Sequence, residues 1–254
     1  MHRILLALLA LAGSAWAGEN LTLAEALAQP KLRCEITGSE SITVVVQNIS
    51  DAPVKLAQPA GLIFTAGENR AITLRATELA VPARQAAEAV IPCARLSSRP
   101  ATEAKNFLPT LETEPRLAGL LAYFASHNDM PRTTAQLLVL CVTEDVTFAQ
   151  WRRFLGAQSS DEPSPQEIVA AVDALGALRE IHPQRTFALN SDAELKLRAL
   201  RNPLARGKAM RLYGIALPDA PLPPELGTLL HAKPGDNCPI CRQRALMQPR
   251  EDGL

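Results

Sequence analysis

The spacing of hydrophobic residues along this chain changes near residue 100. Before that point, short segments rich in Val, Ile, Leu and Thr are separated by turn residues such as Gly67-Glu68-Asn69. In one segment Ile42, Val44 and Val46 alternate with Thr43, Val45 and Gln47, which predicts a strand with one inward face. The predicted strands are Leu32–Thr37, Ser41–Gln47, Val54–Ala57, Leu62–Thr65, Arg70–Arg75 and Ala87–Cys93.

Strands at this spacing, with no helix between them, predict an antiparallel β-sandwich over residues 18–100. A short helix at Leu23–Ala28 is expected to precede the sandwich. Since helical spacing dominates the remainder, the predicted fold class is α+β, with the sandwich followed by an α-helical region and a Pro-rich, Cys-containing tail.

The helical region is predicted to have two segments, residues 101–155 and 166–216, joined by a linker at 156–165. One helix is expected from Pro115 to about Ser126. A nearly all-apolar helix is expected through Leu137–Val142, although a strand is the competing interpretation. Capping-box pairs predict further helix starts at Thr133/Gln136, Thr147/Gln150, Ser164/Glu167 and Ser191/Glu194.

Apolar residues at helical spacing predict which faces of these helices are buried. The expected stripes are Leu117, Leu120, Leu121 and Phe124; then Ile168, Val172, Leu175 and Leu178; and then Leu197, Leu200 and Leu204. Beyond them, residues 217–254 are rich in Pro and are expected to run over the surface.

The first seventeen residues have the pattern of a secretory signal peptide. Arg3 supplies a positive start, Ile4 to Ala12 is an unbroken apolar run, and Ala15-Trp16-Ala17 has the small-x-small pattern of a cleavage site. The pattern predicts a periplasmic or secreted protein, in a compartment where cysteines tend to form disulfides.

Composition narrows the class of partner. The chain has 26 Lys+Arg and 26 Asp+Glu, a formal net charge of zero, and only 4% aromatic residues. A nucleic-acid-binding protein needs a basic surface to neutralise phosphates, so nucleic acid is not an expected partner. No later apolar run approaches the length of a membrane span, so the protein is not expected to span a membrane.

The sharpest chemical motif lies in the tail, at His231-x6-Cys238-Pro239-Ile240-Cys241. Two thiolates two residues apart, together with an imidazole and a carboxylate such as Asp236, can bind zinc. An exported Cys pair can instead form the local disulfide Cys238–Cys241. A third alternative is thiol-redox catalysis, for which nearby Arg residues would lower a thiol pKa.

Three further cysteines lie upstream. Cys34 and Cys93 fall on the first and last predicted strands, and a disulfide between them would close a loop of about 60 residues. Cys141 lies within the apolar run Leu137–Val142 and is expected to be a buried, unreactive thiol. Other pairings among these three cysteines stay open.

Two histidines stand at predicted helix ends. His127-Asn128-Asp129 could contribute to a hydrolytic site, but no Ser or Cys nucleophile motif accompanies it, and a polar helix terminus is the simpler interpretation. His182 follows a helix C-terminus, where a cation complements the helix dipole. Glu194 and Arg198 have the spacing of an i,i+4 ion pair.

Several stretches together resemble exported bacterial proteins that carry an immunoglobulin-like β-domain followed by a helical region. In the β-region they are Leu21–Leu27, Ile42–Ser50 and Pro59–Phe64, and in the helical region they are Thr134–Asp145 and Thr147–Trp151. The resemblance covers about residues 21–155, and Leu140 stands where that group often has a tryptophan. It implies an immunoglobulin-like fold and export, and no catalytic residues.

The sequence therefore predicts an exported, non-catalytic binding or interaction protein, with a protein partner or a small ligand in the periplasm. The alternative is a zinc-binding or thiol-redox protein centred on Cys238 and Cys241, with zinc as the only cofactor in question.

Overall fold

The computed structural model describes residues 19–38, 41–99, 106–110 and 112–215. The chain divides into two compact units, one formed by residues up to Cys93 with Ala101–Thr113, the other by Ala94–Pro100 with Glu114 onward. The described residues include ten strands and seven helices, which confirms the α+β class. The predicted signal peptide and the tail at 217–254 lie outside the described residues.

The first unit holds nearly all the strands and one short helix. The helix, α1, spans Leu23–Ala28, as predicted, and Thr22 and Glu25 form a capping box at its start. The strands are β1 (Glu19–Leu21), β2 (Leu32–Gly38), β3 (Ile42–Asn48), β4 (Val54–Gln58), β5 (Ile63–Ala66), β6 (Asn69–Thr73), β7 (Thr77–Val81), β8 (Ala86–Ile91), β9 (Cys93–Arg95) and β10 (Leu108–Thr110).

The strands of this unit form several small sheets. In one sheet, antiparallel β2, β3 and β8 lie side by side, with Val44 opposite both Ile36 and Ala89. In a second, β4 pairs antiparallel with β7 and parallel with β1. A third contains β10, β5 and β6 in that order, all antiparallel. Strands β1, β7 and β10, and β9 beyond Cys93, were not predicted from the sequence.

The inward faces of these strands share one hydrophobic core. Ile42, Val44 and Val46 are buried, which confirms the inward face predicted from their alternation. They pack in a cluster with residues from α1 and from most of the other strands, including Phe64 and Val81. Burial of this apolar surface stabilises the unit.

A buried asparagine closes the turn after β3. The Asn48 side-chain amide donates to the carbonyls of Ala52 and Pro82 at 2.8 and 3.2 Å, and its oxygen accepts from the Ser50 N–H at 2.9 Å. All these partners are backbone groups, so the buried amide is satisfied and the loop is held over the end of the core.

The second unit is helical. A one-turn 3-10 helix at Pro115–Leu117 leads into the first full helix. The helices are α2 (Ala118–Ser126), α3 (Arg132–Thr143), α4 (Phe148–Phe154), α5 (Pro165–Ile181), α6 (Ala193–Arg201) and α7 (Arg206–Leu212), and a second 3-10 turn lies at Ala188–Ser191. Leu137–Val142 is thus helical, and the competing strand interpretation is wrong.

Helix α3 is buried on all sides. Every residue from Thr134 to Val142 is buried, and α2, α5 and the first 3-10 helix pack against it. The all-apolar pattern predicted this burial. The stripe Ile168, Val172, Leu175 and Leu178 of α5 is also buried, as predicted. Leu204, in contrast, follows the end of α6 and is 74% exposed. The prediction that Leu204 belongs to the buried stripe with Leu197 and Leu200 is therefore wrong.

Two of the four predicted capping boxes form. Thr147 with Gln150 and Ser164 with Glu167 cap α4 and α5, and Pro165 occupies the first turn of α5. Helix α6 begins at Ala193, so the helix start predicted at Ser191/Glu194 is confirmed, but no side chain caps it. The Asp192 carboxylate instead accepts from the Phe148 N–H at 2.7 Å, at the start of α4.

The predicted Thr133/Gln136 box is wrong because Gln136 has a different partner. Its side-chain oxygen accepts from the Arg95 N–H at 2.8 Å, and its amide donates to the Arg95 carbonyl at 2.9 Å. Nearby, Glu144 accepts from the backbone and hydroxyl of Ser98 and from the hydroxyl of Ser97. Burial alone would raise the pKa of Glu144, but these hydrogen bonds lower it. Both contacts fix residues 95–98 against α3 and the residue that follows it.

Two remaining expectations concern the surface. Glu194 and Arg198 form the predicted i,i+4 ion pair at 2.6 Å. Among the described helices, none combines the length and the apolar character needed to cross a membrane.

Two helical glycines give a test of the packing between α2 and α5. A Cβ at Gly119 would lie 3.0 Å from Ile181 Cγ2, whereas a Cβ at Gly176 would have no neighbour within 4 Å. Gly176→Ala should therefore raise the free energy of unfolding by up to about 1 kcal/mol through helix propensity. Gly119→Ala should be less stable than Gly176→Ala by about 1–2 kcal/mol, since Ile181 must move.

Urea unfolding of both variants and of the wild-type protein measures this difference. Equal stabilisation by the two substitutions would show that α2 and α5 can separate at no cost, contrary to the packing described.

Candidate functional site

An open cavity of about 680 Å³ lies within the helical unit. It is bounded by the end of α2, the loop into α3, one face of α5, and α7. The lining residues are Tyr123, His127, Asp129, Met130, Pro131, Thr134, Val172, Asp173, Gly176, Ala177, Arg179, Glu180, Lys208, Arg211 and Leu212. The volume falls in the range of small-molecule sites.

The aromatic wall of the cavity comes from an i,i+4 pair on α2. The rings of Tyr123 and His127 are stacked, with centroids 3.9 Å apart and planes 15° from parallel. His127 is the C-cap of α2, and its Nδ1 lies 3.0 Å from the Tyr123 carbonyl oxygen. The Ser126 Oγ lies 3.1 Å from the same nitrogen. A protonated Nδ1 donates to the Tyr123 carbonyl, whereas an unprotonated Nδ1 accepts from the Ser126 hydroxyl.

The loop after His127 is set by local turn chemistry. The Met130 N–H donates to the His127 carbonyl at 3.3 Å, and Pro131 then caps α3. A residue before proline avoids helical backbone angles, so α2 and α3 cannot join into one helix here. The turn leaves Asp129 exposed at the cavity mouth.

Helix α5 forms the floor. Val172, Gly176 and Glu180 recur at intervals of four and share one face with Asp173 and Ala177. Gly176 adds no side chain, and a Cβ there would meet only open space. Gly176 is exposed, so the helix surface is bare and open to solvent at this point.

Some charged groups of the cavity already have partners. Lys208 Nζ on α7 lies 2.7 Å from Asp173 Oδ1 on α5. Arg179 donates to the Leu212 carbonyl at the end of α7. These contacts hold α7 against α5 and complete the cavity wall.

The surroundings of Tyr123 in this cavity raise its pKa. Burial is the main cause that raises the pKa of Tyr123, and the carboxylates of Glu180, Asp173 and Asp129 raise it further. The phenol is therefore neutral at physiological pH.

A second, smaller cavity of about 210 Å³ lies beside α4 and α6. Two of its arginines are already paired, Arg152 with Glu167 at 3.2 Å and Arg198 with Glu194 at 2.6 Å. The first pair joins α4 to α5 and the second lies within α6, so these arginines are already neutralised and the larger cavity is the stronger candidate.

The predicted site residues are distributed as follows. His127 and Asp129 both line the larger cavity, and His182 caps the end of α5, as expected from its position. Sequence reasoning missed Tyr123, Glu180, Lys208 and Arg211, which only tertiary packing brings together. The spacing of Tyr123 and His127 was the one available local signal.

The upstream cysteines contact hydrophobic surroundings. Cys34 on β2 packs against the core that contains Cys93. The described residues contain no disulfide bond, and the Cys34–Cys93 pairing stays a prediction. Cys141 is fully buried, and burial is the main cause that raises its pKa to about 12, which makes it a poor nucleophile.

The proposed metal ligands His231, Cys238 and Cys241, with Asp236, lie outside the described residues. Within the part of the chain that the structure describes, no group of three or more His, Cys, Asp and Glu side chains could hold a metal ion. The zinc, disulfide and redox alternatives for Cys238 and Cys241 therefore stay predictions.

Comparisons with known proteins do not place the chain in a family. No protein-family model, no curated protein and no solved structure matches it. The geometry of the helical unit is thus the basis for any functional assignment.

Thiol counting tests the cysteine assignments. Protein purified from an oxidising compartment should show one reactive thiol per chain, Cys141, and only in denaturant, because the native thiol is buried and protonated. The other four cysteines should be in the disulfides Cys34–Cys93 and Cys238–Cys241.

Elemental analysis of the same sample separates the zinc alternative. About one zinc per chain, lost in Cys238→Ser, would replace the second disulfide by a metal site. A thiol that reacts rapidly in the native protein would contradict the assignment of Cys141.

Proposed function

We propose that this protein is exported to the periplasm and acts there as a non-catalytic binding protein. Its binding site is the large cavity of the helical unit. The observation that carries the proposal is the cavity itself, which has a stacked Tyr123–His127 wall and the open surface above Gly176 on well-packed helices. A concave site on rigid elements needs little reorganisation to bind a ligand.

We assign the first unit an immunoglobulin-like β-sandwich. Support comes from the inward faces of its sheets, which share one core, and from the antiparallel pairing of most strands. The parallel β1–β4 pair is an addition to the purely antiparallel arrangement expected from sequence. In such domains the end loops present contact residues, which suits a binding protein.

The state of Cys141 supports binding rather than thiol catalysis in the helical unit. A catalytic cysteine needs a lowered pKa and access to substrate. Cys141 has a raised pKa and no exposed surface. Its thiol fills space in the core of α3.

Export has a direct test. Expressed in a Gram-negative host, the protein should appear in the periplasmic fraction, with an intact mass that begins at Gly18 because Ala15-Trp16-Ala17 is cleaved. The Ala17→Asp variant should remain unprocessed. A cytoplasmic protein of full-length mass would refute export while leaving the cavity untouched.

Binding is tested with a cavity-blocking variant. Gly176→Phe should place a ring over the floor of the cavity, from a Cβ that meets no neighbour within 4 Å. A thermal-shift screen of charged and neutral small molecules should give compounds that raise the Tm of the wild-type protein and not of Gly176→Phe.

Gly176→Ala is the matched control, since it leaves the cavity open. Compounds that shift wild-type and Gly176→Phe equally would place binding elsewhere. A screen with no stabilising compound would overturn the proposed function.

A further inference from the structure

Three charged side chains of the cavity stand apart from the others. Asp129, Glu180 and Arg211 line it but make no hydrogen bond or ion pair within the described residues, whereas Asp173 and Lys208 neutralise each other. Single solvated charges are common on surfaces. These three are exposed as well, but they border one concave site.

The two carboxylates lie on the aromatic side. Glu180 and Asp129 both act electrostatically on Tyr123, so the phenol and the carboxylates share one neighbourhood. One face of the Tyr123 ring is covered by the His127 ring. A cation beside Tyr123 would be attracted by the ring and by both carboxylates, which is how proteins commonly recognise ammonium groups.

The guanidinium of Arg211 comes from a different helix than Tyr123. Arg211 is on α7, and both α7 and α2 pack against α5, whose face from Val172 to Glu180 forms the floor. The bare position at Gly176 leaves room for a chain of several atoms along this floor. A carboxylate near Arg211 would form a charge-assisted hydrogen bond with its planar donors.

We propose that the cavity binds a zwitterionic ligand, whose ammonium group lies against Tyr123 between Asp129 and Glu180 and whose carboxylate is bound by Arg211. This assignment rests on the proposed function, because it takes this cavity to be the binding site. A free amino acid and a short peptide offer the same pair of groups, and the distance between the groups distinguishes them.

Calorimetric titration of the full chain with defined probes tests the assignment. 2-Aminopentanoate represents a free amino acid and triglycine a short peptide, while pentylamine, pentanoate and 1-pentanol each lack one or both charges. The zwitterions should bind most tightly, pentylamine about tenfold more weakly, and pentanoate and pentanol weakest. The tighter of the two zwitterions identifies the source.

Single substitutions test which charged group of the ligand each side chain binds. Asp129→Asn and Glu180→Gln should each weaken zwitterion and pentylamine binding about tenfold, with the Tm unchanged because neither group has a partner in the described protein. Arg211→Gln should weaken the zwitterion and leave pentylamine unaffected. Glu194→Gln removes a carboxylate of the same unit outside this cavity and should leave the affinity for every probe unchanged.

Equal binding of pentanol and the zwitterions, or full affinity in Asp129→Asn and Glu180→Gln together, would overturn the assignment. So would the absence of binding by every ammonium probe. If the thermal-shift screen still finds ligands blocked by Gly176→Phe, only the ligand chemistry fails, and the proposed binding function stands.

Discussion

The helical unit depends on the complete burial of α3. Its backbone groups are satisfied within the helix, so the apolar run from Leu137 to Val142 can be withdrawn from water without loss of hydrogen bonds. A helix that is apolar on every side must be surrounded, and α2, the first 3-10 helix and α5 supply the cover. The positions of these neighbours are therefore set by α3.

The cavity is a consequence of that arrangement. Helix α5 commits Ile168, Leu175 and Leu178 to the core, and its face around Gly176 is left uncovered between α2 and α7. The Lys208–Asp173 ion pair and the hydrogen bond from Arg179 to Leu212 then fix α7 at the rim. One face of α5 therefore stabilises the unit, and another face lines the cavity.

Short sequence patterns predicted those parts of the fold that depend only on residues close together in the chain. Ser164 and Glu167 satisfy each other's N–H groups at the start of α5 and Pro165 has no N–H, so the start of that helix could be predicted from these three residues. Gln136 carried the same signal at α3, but its side chain bonds to Arg95, 41 residues earlier. A tertiary partner outweighed the local one, and no pattern near Gln136 indicates it.

Even less of the candidate site than of the fold could be predicted from local sequence patterns. His127 and Asp129 could be singled out because they are polar and close in sequence. Lys208 and Asp173 are 35 residues apart, and their contact follows from how α5 and α7 pack. The sequence of either helix alone describes only a solvated charged face, so the cavity appears only when the helices are assembled.

The contact between Gln136 and Arg95 also bears on how the chain avoids association with its own copies. A strand residue with a free N–H and carbonyl is a template on which another chain can add a strand. The Gln136 amide supplies one acceptor and one donor to the same residue, as a neighbouring strand would. One side chain therefore ends strand pairing at Arg95 and removes that backbone position as a nucleus for aggregation.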